Sequence, residues 1–205
     1  MSGGASRPLR ADAARNSEKI LRAAREVFAE QGPDAPLDDI ARRAGVGIAT
    51  LYRRFPHKAA LVRAALDLSF TEELAPAIER ALADDDPRRG LMDAVESAVA
   101  HTARNYNTLA AARDVGALTA EAGERFFETL APLLRRGQQQ GVVRADLVVD
   151  DLRRIMQMLV SVLWTMDPRE GGWHRYTVLI FDALAPEAAS PLPPAAPMRR
   201  RTPGA

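Results

Sequence analysis

Apolar side chains recur along most of this 205-residue chain at three- and four-residue spacing, and no β-branched run alternates with period two. That pattern predicts an all-α fold of about nine helices. The first helix spans about 16–31, with Ile20, Ala24, Val27 and Phe28 on one stripe and Gly32-Pro33 as its stop. A short helix over about 37–44 turns Leu37, Ile40, Ala41 and Ala44 inward. Gly45-Val46-Gly47 makes a turn, and a third short helix covers about 48–55 before Pro56. One long helix then runs over about 58–82. Asp84-Asp85-Asp86-Pro87 offers an N-cap aspartate and a first-turn proline to the next helix, about 87–105. Four more follow at about 107–116, 121–140, 148–166 and 172–185, parted by Gly116, Gly141 and Gly171-Gly172. Pro132 lies inside the seventh and is expected to kink it near Glu128.

The two ends break the pattern. Residues 1–14, with Gly3, Gly4 and Pro8 beside Arg7 and Arg10, read as a flexible basic arm. Residues 186–205 hold six prolines and close on Arg199-Arg200-Arg201, a composition that predicts a disordered tail. Between them the organisation divides into an N-terminal domain of short helices at 15–62 and a larger helical domain at 63–185.

The pair of short helices around Gly-Val-Gly is the strongest local signal. A helix that reads DNA must enter a major groove about 12 Å wide while a partner helix fixes its angle. On a helical wheel Leu51 and Phe55 fall within about 40° of each other and point inward. Ala49, Tyr52 and Arg53 occupy the opposite arc, with Thr50 and Arg54 at its borders. A hydroxyl, a phenol and guanidinium groups around a small residue suit phosphates and base edges. Ile48 lies on the core side, close enough at the first turn to reach a thymine methyl.

Charge sharpens this picture. The net charge is only +1, yet residues 1–60 hold 11 Lys/Arg against 7 Asp/Glu while residues 61–185 hold 14 against 19. A basic front on an acidic body suits a protein that meets a polyanion at one end. Cysteine is absent, which excludes a disulfide scaffold, a cysteine nucleophile and thiolate zinc sites. No apolar run approaches the roughly 18 residues of a membrane span, and no signal-peptide core follows the N-terminus, so a soluble cytoplasmic protein is expected.

The segment from Leu37 through Asp38-Asp39-Ile40-Ala41-Arg42-Arg43-Ala44-Gly45-Val46-Gly47-Ile48-Ala49-Thr50-Leu51-Tyr52-Arg53-Arg54-Phe55-Pro56-His57-Lys58 to Leu61 closely resembles the helix-turn-helix signature of the TetR family. The resemblance extends without gaps through Ile20–Gly32 and covers about 15–65. It implies a transcriptional regulator, of repressor type, that binds operator DNA as a homodimer and is released by a small-molecule effector. It also implies phosphate contacts at Thr50, Tyr52 and Lys58, and base or groove contacts at Gly47, Ile48, Ala49 and Arg53. Two positions depart from the family pattern. Gly47 stands where a capping Ser or Thr is usual, and His57 where Ser or Asn precedes the lysine. The connector Gly141–Leu152 resembles that of TetR-type proteins, and Arg175–Pro186 is similar to the end of SbtR-like members.

The body carries less signal. Leu152, Ile155, Met156, Leu159, Leu163 and Met166 make one stripe of the eighth helix, and Val160, Val162 and Trp164 widen it, so the last two helices are the expected dimer surface. An effector pocket needs mostly apolar walls with a few polar groups. His101, Tyr106, Arg113, Phe126, Phe127, Met158 and Trp164 are its candidate lining, fitting a largely apolar compound. The three histidines, His57, His101 and His174, lack metal-ligand spacing, and no nucleophile elbow, P-loop or dinucleotide motif occurs, so no enzyme, cofactor or metal site is predicted. Two other readings share these features: a DNA-binding protein without an effector, and a ligand-binding helical protein that no longer binds DNA.

Overall fold

The computed structural model describes residues 6–118, 120–186 and 190–195. Ten α-helices follow in order among them: α1 (Ser6–Gln31), α2 (Leu37–Ala44), α3 (Ile48–Arg54), α4 (Lys58–Ser69), α5 (Ala75–Leu82), α6 (Pro87–Arg104), α7 (Tyr106–Asp114), α8 (Ala120–Gln139), α9 (Val149–Leu163) and α10 (His174–Ala183). A π-helical segment, Phe70–Leu74, joins α4 to α5, so the expected long helix over 58–82 is one unbroken run with a wide turn in it. Counting that run once gives the nine helices the periodicity predicts. A short 3₁₀ turn, Pro168–Glu170, precedes α10. No helix among the described residues is long and apolar enough to cross a membrane.

Two compact bodies result. One comprises residues 1–75 with 104–119, the other residues 76–103 with 120–205. The first is built on Ile20, Ala24, Val27 and Phe28 of α1, which meet Ile40 and Ala41 of α2, Leu51 of α3, Leu61, Val62 and Ala65 of α4, and Ala111 and Ala112 of α7. Phe28 is fully buried, and truncating a phenylalanine so placed costs about 3–5 kcal/mol. The head is thus not self-contained at residue 62, because α4 and α7 complete its core.

The second body buries Leu91 of α6, Leu130, Leu133 and Leu134 of α8, Leu152, Leu159 and Leu163 of α9, and Phe181 of α10. Asp86 caps α6, its Oδ1 accepting from the Arg88 and Arg89 amides at 3.0 and 3.1 Å, with Pro87 as first residue. Gly90 is required there, since a Cβ would collide with the Ala81 carbonyl. Helix α8 runs on through Pro132.

Both termini differ from expectation. Helix α1 begins at Ser6, not near residue 16, so most of the supposed arm is helical backbone. Ala11, Ala13, Ala14 and the arginines beside them favour helix, and Pro8 sits in the first turn, where its missing N–H costs nothing. Residues 1–5 lie outside the described chain. At the other end, residues 190–195 are exposed and without helix, yet tied down. Arg144 Nη2 donates to the Ser190 carbonyl at 2.6 Å, and the Leu192 amide donates to Asp146 Oδ2 at 2.9 Å. Arg144 and Asp146 are themselves joined by two bonds of 2.6 and 2.9 Å. A proline-rich composition forbids a core, but it leaves main-chain groups free to be captured. Residues 196–205, with the Arg199–Arg201 run, lie outside the described chain.

Candidate nucleic-acid interface

The turn between α2 and α3 follows from two glycines with different tasks. Gly45 ends α2 at φ 69°, ψ 31°, the left-handed region that costs glycine nothing. Its amide donates to the Arg42 carbonyl at 3.2 Å and the Val46 amide to the Ala41 carbonyl at 3.0 Å, the paired bonds of a Schellman motif. Gly47 is extended, at φ −71°, ψ 146°, and is the N-cap of α3 with no side chain to cap it. Its carbonyl still accepts from the Thr50 amide at 2.9 Å.

Burial divides α3 as the wheel predicts. Leu51 is fully buried and Phe55 nearly so, while Ala49, Tyr52, Arg53 and Arg54 are exposed, Tyr52 by 48%. Gly47 is exposed too, Ile48 packs partly against the core, and Thr50 is half-buried at the border. Gly47, Ala49, Tyr52 and Arg53 therefore lie on the outward surface. Arg54 is anchored instead, its Nε donating to Ser17 Oγ of α1 at 2.5 Å. On α2, Arg42 pairs with Asp39, and Arg43 bonds Glu26 and Glu30 of α1. Arg43 thus ties α2 to α1 and Arg54 ties α3 to α1, while the Arg42–Asp39 pair lies within α2.

Lys58 is half-buried rather than fully presented. Its Nζ donates to the Pro33 carbonyl at 2.8 Å and lies 5.5 Å from the centre of the Phe28 ring. An ammonium has three donors, so this anchor leaves two. The residue before it has a role that the sequence pattern hid. His57 is the N-cap of α4, its Nδ1 accepting from the Ala60 amide at 3.1 Å. The imidazole thus does what a serine or asparagine oxygen would do, and only its position ahead of a helical stretch could have signalled it.

The seven candidate pocket residues are divided between the two bodies. Tyr106 and Arg113 belong to the first body, Arg113 exposed and beside Asp114. In the second, His101, Phe126 and Phe127 are buried, the two phenylalanine rings edge to face at 4.9 Å. Met158 of α9 and Trp164, which caps its C-terminus, are exposed by 55% and 43%, so within the single chain they are not interior lining. Periodicity marked them as apolar but could not say which apolar residues a single chain covers. None of the seven lines the described clefts. The larger, about 480 Å³, has polar walls from Asp84, Asp93, Glu96 and His174. There, burial first and the neighbouring Asp84 and Glu96 next push the Asp93 carboxyl above its ordinary value. Among the described residues no group of three or more His, Cys, Asp or Glu is placed to hold a metal ion.

Comparison with known proteins places this geometry. Residues 20–65 match the family model of bacterial regulatory proteins of the TetR family, and residues 86–186 that of the SbtR-like transcriptional regulator C-terminal domain. The chain is 31% identical over 164 residues to the helix-turn-helix regulator SrpR of Pseudomonas putida, spanning 75% of each protein. It is 42% identical over 78 residues to TtgW of the same species, a match covering 34% of this chain and 57% of that relative. A TetR regulator of Mycobacterium vanbaalenii superposes with a TM-score of 0.63 at 33% identity, covering 87% of this chain and 99% of the other. The TetR-like regulator LfrR of Mycobacterium smegmatis, solved in complex with proflavine, gives 0.57 at 25% identity over 87% and 99%.

Proposed function

This chain belongs to the TetR family and is a DNA-binding transcriptional regulator, not an enzyme; from that premise we propose that it is a homodimeric repressor released from its operator by a small molecule. The observation that carries the DNA-reading half is the division of α3. Leu51 and Phe55 lock the helix into the head, while Ala49, Tyr52 and Arg53 stand clear of that core. In this reading Gly47 and Ala49 allow close approach to the groove floor and Ile48 touches a thymine methyl. Arg53 reads a base edge, and Thr50, Tyr52 and Lys58 hold phosphates.

One recognition helix reads too few base pairs alone, and two-fold symmetry supplies the second. The surface offered for that symmetry is on α9 and α10, where Met158, Trp164, Tyr176, Val178 and Leu179 are exposed together by 41–60%. So much open apolar surface on two helices fits a subunit interface. The effector half is supported by the family and by LfrR, which was solved with proflavine bound. Here the interior residues His101, Phe126 and Phe127 are the remaining candidates for its lining. An effector acts by binding one of two states better, and couplings of this kind typically weaken the other ligand about 5- to 150-fold.

The test is selection of duplexes from a random library with the purified protein, followed by a thermal-shift screen of small molecules against the complex. A two-fold symmetric consensus, and a compound that both stabilises the protein and weakens its DNA binding, are expected. An asymmetric single half-site, or stabilising compounds that leave DNA affinity untouched, would contradict the reading.

A further inference from the structure

The π-helical segment Phe70–Leu74 brings two adjacent glutamates against α1. Arg22 and Arg25 lie three apart on α1 and so share a face. Adjacent residues on an α-helix point about 100° apart. The wider i→i+5 turn of Phe70–Leu74 narrows the angle between them. Glu72 Oε1 then accepts from Arg22 Nη2 at 2.6 Å, and Glu73 Oε1 accepts from Arg25 Nη2.

Glu73 is held from a second side. Its other oxygen, Oε2, accepts from Arg104 Nε at 3.2 Å, and Arg104 is the last residue of α6. Asn105, next in the chain and 3% exposed, accepts through Oδ1 from Arg25 Nε and from Ser69 Oγ, each at 3.2 Å. Ser69 is itself completely buried. One carboxylate and one amide thus join α1, the end of α4 and the α6–α7 junction in a single polar node. Burial pushes the Glu73 carboxyl up, but Arg25 and then Arg104 outweigh it and hold it below its ordinary value. A partly buried charge kept ionised between two guanidinium groups is specific in geometry, because removing either partner leaves the other uncompensated.

We infer that Glu73 is a positioning residue for operator binding: through Arg25 it fixes the attitude of α1, and with it α2 and α3, relative to the end of α6. The inference rests on the operator-binding reading above. Glu73 touches no DNA in this account. It sets how far the head is ordered before it meets the duplex, and a head ordered in advance binds without paying that entropy on contact. Arg104 is the arm of the node that reaches the end of α6. A shift at the end of α6 therefore acts on Arg25 through one shared carboxylate.

The experiment uses full-length protein and a duplex selected by the wild type, with fluorescence anisotropy over a range of salt concentrations and thermal melting alongside. Glu73→Gln keeps the shape and loses the charge. It is expected to weaken binding about 2- to 30-fold, the range in which coupling residues act, at every salt concentration, with the salt slope unchanged. Arg22→Gln, at the exposed outer pair, is expected to leave affinity as it was. Arg104→Gln, at a side chain exposed by 56%, is expected to weaken binding in the same way, and the double variant to be no weaker than Glu73→Gln alone. If Glu73→Gln fails to fold, Arg104→Gln alone decides. Wild-type affinity in Glu73→Gln despite a lower melting temperature would reduce the node to plain stabilisation and overturn the inference, as would tighter binding. Additive losses in the double variant would overturn the link to α6. A wild type that selects no duplex at all would instead overturn the functional reading beneath it.

Discussion

Leu179 offers the sharpest test of how this chain assembles. It sits on α10 with 60% of its surface open in the single protomer. Fully burying a leucine is worth roughly 1.5–3 kcal/mol, so covering the open part is worth about 1–2 kcal/mol. Two-fold symmetry uses every interface residue twice, which makes the contribution about 2–4 kcal/mol per dimer. Alanine keeps one carbon of the side chain, so the lower end applies to Leu179→Ala. At about 1.4 kcal/mol per decade, the dimer dissociation constant should rise about 30-fold. Sedimentation velocity across a concentration series measures it directly, with circular dichroism to confirm unchanged helix content. Leu118→Ala is the control, because Leu118 is 50% exposed but belongs to the first body, whereas α9 and α10 belong to the second. Wild-type dimerisation by Leu179→Ala, or equal sensitivity at both leucines, would exclude α10 as the interface.

Other expectations concern the head and the tail. Arg53→Ala should relax base preference at one position of the selected site and cost roughly 1–3 kcal/mol; identical selection profiles for variant and wild type would remove Arg53 as a reader. Lys58→Ala should lower the salt slope by about one unit, as loss of a phosphate contact does. It should also reduce thermal stability, because the Pro33 and Phe28 contacts go with it; an unchanged slope with lowered stability would leave Lys58 a purely internal anchor. His57→Ala removes the α4 cap and should cost about 1 kcal/mol in denaturant unfolding, and His57→Asn should restore it. Asp146 is held far below the usual carboxylate range, first by Arg144 and then by the Leu192 amide. A carboxyl depressed in the folded state stabilises above its unfolded value, about 3.9, and the gain disappears as pH falls toward the folded value. Asp146→Asn should therefore melt below the wild type near neutrality and approach it as the pH is lowered past about 4; a gap that stays constant would contradict the ion pair.

The sequence was most legible where the chain must do something local. Gly45 and Pro56 bound the recognition helix by backbone geometry alone, and the 40° separation of Leu51 and Phe55 is enough to tell its inner face. Asp86 and Pro87 announce α6 for the same reason. What stayed hidden depends on residues far apart in the chain. A π turn at 70–74 is indistinguishable from α-helix by periodicity, because its partners, Arg22 and Arg25, are about 50 residues away. Periodicity also marks an apolar face without saying whether the same chain or a second one covers it. For that reason the sequence alone assigns Met158 and Trp164 to an interior lining, whereas both are exposed in the single chain. His57 was legible as a departure but not as a cap, since an imidazole nitrogen is an unusual acceptor at that position.

The capture of the tail by Arg144 and Asp146 has a consequence for how this end of the chain can vary. Both contacts are made to main-chain atoms, the Ser190 carbonyl and the Leu192 amide, two residues apart in a stretch without helix. No tail side chain takes part in them. The clasp therefore reads distance along the backbone, not residue identity. Substitutions at Pro191 or Pro193 can accumulate without loosening it, whereas a proline at 192 would remove the amide it needs. Lengthening or shortening the few residues between α10 and Ser190 would offer it the wrong pair of atoms. Drift in letters and constancy in spacing is the pattern such a clasp would leave among this chain's descendants.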